Sequence, residues 1–284
     1  MTGHDADVIV VGGGPAGSST AALLAERGHR VLLLDKARFP RHKACSEYVN
    51  PAGTRILIDF GLKHDLEGLG AHRVEAMLIH APGGRRFLAD FAAVEPSGEA
   101  IGLSRYRLDR LLLDRGRDAG VVVHEGAHVR DLVIEHGRVG GVDVTVDGAR
   151  ETLRAPLTVG ADGRYGVVAR ALALDAPLRW PQHTGLVAHY RGVTGLDRWG
   201  EMHVTQGGYA GLAPLEGGLT NVAFVTASAA VSGRHDPLET FFDNALASIP
   251  QVAEKLAGAK RVGGIRGVGP MAHRARRVAG EGFL

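Results

Sequence analysis

The sequence has one cysteine, Cys45, in 284 residues. No internal disulfide can form, so the fold must be held by its core, and a reducing compartment suits the chain. No sign of charge dominates: 33 Lys and Arg stand against 31 Asp and Glu. That balance argues against a nucleic-acid or membrane-surface binder, and the one dense basic stretch, His273 to Arg277, reads as a solvated face. No uninterrupted apolar run approaches the ~20 residues of a spanning helix. The first apolar segment begins almost at the N-terminus, so no integral membrane segment is expected and the cytoplasm is the default location. The 14 histidines show no ligand spacing. His124 and His128 are four apart, but in strand-like sequence that spacing does not make a helical pair. No metal is expected.

What the sequence does have is glycine in a particular order. The apolar run Val8 to Val11 leads into Gly12-Gly13-Gly14-Pro15-Ala16-Gly17, an alanine-rich segment, Gly28, and a second apolar run, Val31 to Leu34, ending on Asp35. Strand, glycine turn, helix, strand, acid is the dinucleotide-binding fingerprint in its required context. Gly12 turns the chain, Gly14 lets backbone approach a pyrophosphate, and Gly17 lets the helix pack close on the strands. The pyrophosphate would sit on free N–H groups at the helix start. Asp35 would accept hydrogen bonds from an adenosine ribose and repel a 2′-phosphate, which makes NADP the least suited nucleotide here. An ordinary βαβ unit explains the glycines but leaves the register of all four features to chance.

The length favours two lobes over one, and the chain visits the nucleotide lobe, leaves, returns and leaves again. A helix is predicted from about Pro15 to Arg27, with Ala16, Thr20, Leu23 and Leu24 on its buried side. The loop Lys36 to Cys45 is basic and suits a phosphate or an anionic ring, or else is a surface loop. Pro51 opens a helix closing near Gly61. Residues 74 to 91 form a hairpin around Pro82-Gly83-Gly84, and a helix follows over Tyr106 to Ala119. Three runs, Val121 to His124, Val129 to Glu135 and Val142 to Val146, read as an antiparallel meander. Leu157 to Ala161 ends on Asp162-Gly163, placing a second acid at a strand's carboxyl end. Beyond Pro177 the chain is β-rich, and a further helix is expected with Asp236 as N-cap, Pro237 first and Glu239 closing a capping box.

Four separated stretches resemble flavoproteins of the p-hydroxybenzoate hydroxylase fold, geranylgeranyl reductase-like branch. They are Gly12 to Ser18 with Asp35-Lys36; Phe39-Pro40-Arg41-His42-Lys43-Ala44-Cys45, similar to that branch's Pro-Arg-x-Lys-x-Cys segment; Arg105-Tyr106-Arg107-Leu108-Asp109; and Gly160-Ala161-Asp162-Gly163. The resemblance implies an α/β fold: a Rossmann-type FAD-binding domain with a three-stranded β-meander (1–73 and 101–176), interleaved with a β-rich α+β substrate domain (74–100 and 177–270). Residues 271–284 would start a final FAD-binding segment. It implies FAD, with Asp35 on the ribose, Arg105 near the pyrophosphate, Asp162 and Gly163 near the phosphates and the Val129 backbone beside the adenine. Lys36, Arg41 and Ala44 would lie on the cofactor's path and Cys45 near the flavin ring, though a small buried hydrophobe is the plain reading of that cysteine. Gly208 to Pro214 resembles the reductases' substrate-sheet segment, with Gly211 where a large aromatic is common.

The implied activity is FAD-dependent oxidoreduction, with NAD(P)H reducing the flavin and a small apolar, isoprenoid-like or aromatic molecule as substrate. Monooxygenation on the same fold is the alternative. The family pattern continues from a segment like Val278 to Leu284 into a strand ending Gly-Asp-Ala, so a fragment with impaired FAD binding is the competing expectation from another class. The oligomeric state is left open.

Overall fold

A computed structural model describes residues 3–93, 98–196 and 198–284; residues 94–97, within the expected 74–100 excursion, and residues 1–2 of the expected first segment lie outside them. The chain divides into two compact units, 1–41 with 106–178 and 273–284, and 42–105 with 179–272.

The first unit is built on a parallel sheet ordered Leu157–Gly160, Val8–Val11, Val31–Asp35, Val122–Glu125. Residues 282–284 extend it beside Leu157–Gly160: Thr158 N–H donates to Gly282 O and Leu284 N–H to Thr158 O, with Phe283 bridged in parallel to Thr158. The apolar runs are continuous because both sheet faces are covered. Ile9, Val11, Leu32 and Leu34 enter a core with Val129, Leu132, Val142 and Val144 of the meander and Phe283. Val8, Val10, Val31 and Leu33 enter a second core with Ala21 and Leu113 from two helices.

Those helices are Pro15–Glu26 and Arg105–Asp118. The fully buried side of the first is Gly17, Ser18, Ala21 and Ala22; of the predicted Ala16, Thr20, Leu23 and Leu24, Leu24 packs partly buried against the core, while Ala16 and Leu23 are exposed. Small residues face the strands at the helix start, where a Cβ at Gly17 would lie 1.8 Å from Gly12 O.

The meander has three strands, but not the three expected. Val122–Glu125 pairs in parallel with Val31–Asp35, as a strand following a crossover helix must. The meander is His128–Glu135, Arg138–Val146 and Ala149–Arg154. Its last strand is mostly exposed and polar, which hides it from an apolar pattern.

The second unit centres on a seven-stranded sheet ordered Lys260–Val268, His183–Arg191, Leu219–Ala227, Gly208–Pro214, Trp199–Thr205, Ala76–His80, Arg86–Asp90. Alternate residues Leu186, Ala188, Tyr190, Leu212, Val222 and Phe224 pack with Phe242, Leu246 and Val252 from helices Leu238–Ala247 and Pro250–Leu256. The predicted capping box does not form. Pro237 keeps an extended backbone (ψ 150°) and is itself the N-cap, without a side-chain bond, so the helix starts one residue later than expected. Pro250 opens the next helix as well as following this one. The stretch 42–73, expected in the nucleotide domain, belongs to the second unit: Tyr48–Val49 and His72–Val74 both pair with Ala100–Gly102.

Candidate functional site

In the first unit the glycine turn and the acid are one hydrogen-bonded structure. Asp35, 9% exposed, ends its strand with Oδ2 accepting Gly13 N–H at 2.7 Å and Oδ1 accepting Ala37 N–H at 2.8 Å. A carboxylate has about four lone-pair directions, so capacity is left for ribose hydroxyls. Gly12 has φ +107°, and a Cβ there would lie 2.4 Å from Ala161 O. At Gly17 a Cβ would lie 1.8 Å from Gly12 O. The turn therefore admits no side chain at either place, and the helix start is pressed against the strand ends. Gly14 is the N-cap, with no side chain to cover the first turn. Pro15 has no N–H, and those of Ala16 and Gly17 have no intrahelical partner by helix geometry. That pair of outward donors at a helix N-terminus fits a pyrophosphate.

Further residues named from the sequence lie in the same unit. Arg41 donates to the fully buried Asp109 at 2.6 Å, lies 3.9 Å from Asp35, and stacks its guanidinium 4.6 Å over Phe39. Its charge is thus largely committed to holding the Lys36 to Arg41 stretch on the helix Arg105–Asp118. Asp162 Oδ2 accepts the N–H of Val167, the first residue of the short helix Val167–Ala171, at 2.5 Å. Burial raises its carboxyl above the usual range, although its backbone hydrogen bonds and the Lys36 charge pull the other way. Gly163 has φ +83°. Val129 is buried in the meander. These residues, with Gly12 to Gly17, Asp35 and Lys36, all belong to the first unit.

Ala44, Cys45 and Arg105 belong to the second unit. There the sequence missed the more elaborate structure. Glu47, 3% exposed and at φ +55°, accepts Arg105 N–H on Oε1 at 2.8 Å and Asn221 Nδ2 on Oε2 at 2.9 Å, and its Oε2 also meets His189 Nε2. Asn221 donates to Cys45 O at 2.9 Å, and Glu47 N–H to Cys45 Sγ at 3.4 Å. Burial pushes the Glu47 carboxyl up, but the hydrogen bond and charge of His189 and the Arg105 and Asn221 donors outweigh it and hold Glu47 below the usual carboxylate range. Neither His189 nor Asn221 carries a motif; sheet register places them opposite one another.

Register also assembles a trio that sequence spacing could not show. His80 and His203 are partners in a parallel pair, with Glu201 two residues earlier on the same face, and the three offer ligand atoms within 4.8 Å of one another. His80 Nε2 and His203 Nδ1 are buried without partners. The imidazoles stack at 4.2 Å with planes 14° apart. Lys255 Nζ, 3.0 Å from Glu201, already compensates the carboxylate. Burial, followed by the charge of His203, lowers the His80 pKa.

Comparison with known proteins places this geometry. The sequence is 30% identical over 265 residues to digeranylgeranylglycerophospholipid reductase 1 of Methanococcoides burtonii, covering 89% of this chain and 62% of that protein. It is 31% identical to reductase 2 of the same name from Methanopyrus kandleri, covering 98% and 68%. The chain thus spans about two thirds of the length of these relatives. Among solved structures, the myxobacterial chondrochloren halogenase CndH, an FAD-dependent halogenase, superposes with a TM-score of 0.91 at 28% identity, over 98% of this chain and 67% of that one. Residues 5–241 match the FAD binding domain family. With the acid, the glycine turn and the meander in their places, the chain belongs to the FAD binding domain family, on the p-hydroxybenzoate hydroxylase fold.

Proposed function

We propose that this chain carries the FAD-binding and substrate-sheet regions of a FAD-dependent oxidoreductase whose NAD(P)H-reduced flavin reduces a small apolar molecule, isoprenoid-like or aromatic. The observation that carries the cofactor reading is the junction of Asp35 with Gly13 and Ala37, which fixes a ribose acceptor beside two helix N-terminal donors. In this reading Gly12, Gly14, Pro15, Ala16 and Gly17 shape the pyrophosphate seat and Asp35 holds the adenosine ribose. Val129 backs the adenine, Lys36, Arg41, Arg105, Asp162 and Gly163 serve the phosphate region, and Ala44 and Cys45 border the ring. Bound FAD supplies the electron-transfer chemistry, and the chain's side chains bind, orient and tune its charge. Reduction is favoured over monooxygenation by the Pro40-Arg41-His42-Lys43-Ala44-Cys45 segment and by the reductase names of the two archaeal relatives.

The deciding experiment supplies NAD(P)H and candidate isoprenoid or quinone substrates to the FAD-loaded protein with and without O2. Saturated product formed anaerobically is the expected outcome. Turnover that requires O2, with oxygen incorporated into product, overturns the reductase reading in favour of a monooxygenase.

A further inference from the structure

The one cysteine of the chain is held by a buried polar network whose centre is Glu47. Three donors converge on its carboxylate: Arg105 N–H on one oxygen, and Asn221 Nδ2 and His189 Nε2 on the other. The Glu47 backbone takes part as well. Its carbonyl accepts Leu103 N–H at 3.1 Å and its amide reaches Cys45 Sγ. Asn221 divides its two N–H bonds between Glu47 Oε2 and Cys45 O. Asn221 and His189 are 1% and 7% exposed, so none of these bonds is a loose surface contact. The left-handed backbone of Glu47 is an uncommon conformation for such a residue. It persists where surroundings over-determine it, a pattern found at functional sites.

We propose that Glu47 is a positioning residue for Cys45. Its carboxylate, hydrogen-bonded to His189, keys Asn221 so that the amide fixes the Cys45 carbonyl while the Glu47 N–H fixes the thiol. The inference rests on the reading that the Cys45 segment borders the flavin, and it assigns to Glu47, His189 and Asn221 the task of setting where the thiol stands. The charged and titratable groups around the network are Arg105, His42, whose ring lies 5.8 Å from that of His189, and Arg266, whose charge bears on His42.

The donor count makes the proposal testable. Glu47 receives three donors and offers none. In Glu47→Gln the new amide NH2 must face either the Arg105 N–H or the Asn221 and His189 donors, and a donor opposite a donor breaks the bond. Cys45 is the only cysteine, so alkylation by iodoacetamide, followed by mass, reports one site.

Losing one buried hydrogen bond should make E47Q alkylate roughly tenfold faster than the parent. N221A, which removes the amide and leaves the Glu47–His189 pair, should accelerate alkylation in the same direction. The double variant E47Q/N221D restores a bond between positions 47 and 221, because the glutamine amide can donate to the new carboxylate. It cannot restore a donor to the Cys45 carbonyl. Its melting temperature should recover relative to E47Q while its alkylation stays fast. The proposal is overturned if folded E47Q and N221A react within about twofold of the parent, or if the double variant recovers both melting temperature and slow alkylation, as for a simple brace. A parallel arm adds FAD to the parent protein. Protection of Cys45 supports the flavin-adjacent reading; no protection removes that reading and leaves the comparison of variants intact.

Discussion

Asp35 Oδ2 lies 2.7 Å from the amide nitrogen of Gly13, so the acid that ends the second strand is hydrogen-bonded into the turn that follows the first. The two halves of the fingerprint hold each other, and the same carboxylate faces the nucleotide in the proposed function. Asp35→Ala removes charge-assisted bonds of about 1.5–3 kcal/mol each. A loss of FAD affinity of roughly 10–100-fold is expected by fluorescence titration, with Asp35→Asn intermediate. An unchanged Kd would remove Asp35 from the cofactor site.

Gly17→Ala is expected to be far worse than an alanine in a helix should be. The added methyl would meet Gly12 O at 1.8 Å, a backbone carbonyl that cannot swing aside as a flexible side chain would. Overpacking of this kind costs about 1–3 kcal/mol or more, and denaturant titration should show it together with weaker FAD binding. Gly28→Ala makes the contrast: a Cβ there meets nothing within 4 Å, so only its φ of +86° is at stake.

Acid should loosen the second unit through Glu201. Burial raises its carboxyl, but hydrogen bonds from His203 and Lys255 outweigh that and hold it below the usual carboxylate range. A folded pKa below the unfolded one means stability fully present above the unfolded value, about 4.3, and lost as pH falls through the folded one. Glu201→Gln should therefore flatten stability against pH below about 4.3, while lowering stability at neutral pH because Lys255 loses its counter-charge. A parent-like slope in the variant would show that Glu201 is not a source of the acid response.

The stacked His80 and His203 rings predict the response to metal. Because the rings stack face to face and Lys255 is already paired with Glu201, titration with Co2+ should give no tetrahedral absorption bands, and chelator should leave the melting temperature unchanged. Strong bands abolished by His80→Ala would show that the rings turn to coordinate.

The sequence shows best what local chemistry dictates. Two of the parallel strands, Val8–Val11 and Val31–Asp35, were legible as nearly unbroken apolar runs, since both faces of the sheet are buried there, whereas the half-exposed Val122–Glu125 was read into the meander; the glycine turn was legible as a motif whose spacing has a steric reason at Gly12 and Gly17. Ala149–Arg154 was not, because an exposed edge strand needs no apolar face. Lys260–Val268 was hidden by Gly263 and Gly264, which interrupt alternation at a backbone with φ +77°. The acid end of the site was visible for the same reason as the fold. Glu47, His189 and Asn221 were not, since a buried carboxylate announces itself only through its partners, and those come from strands far along the chain.

The pairing of residues 282–284 with Leu157–Gly160 has a consequence for the order in which the molecule forms. The first unit is assembled from three stretches separated by the whole of the second, so the edge of its sheet can be covered by residues 282–284 only after the ribosome has passed them. Until then the Thr158 edge is open and Phe283, 4% exposed in the finished fold, has not arrived to close the core. Long-range closure of this kind is slow, and an open apolar edge invites association with other nascent chains. The unit that carries the glycine turn thus waits, for the closing of its own core, on residues made after the whole of the other unit.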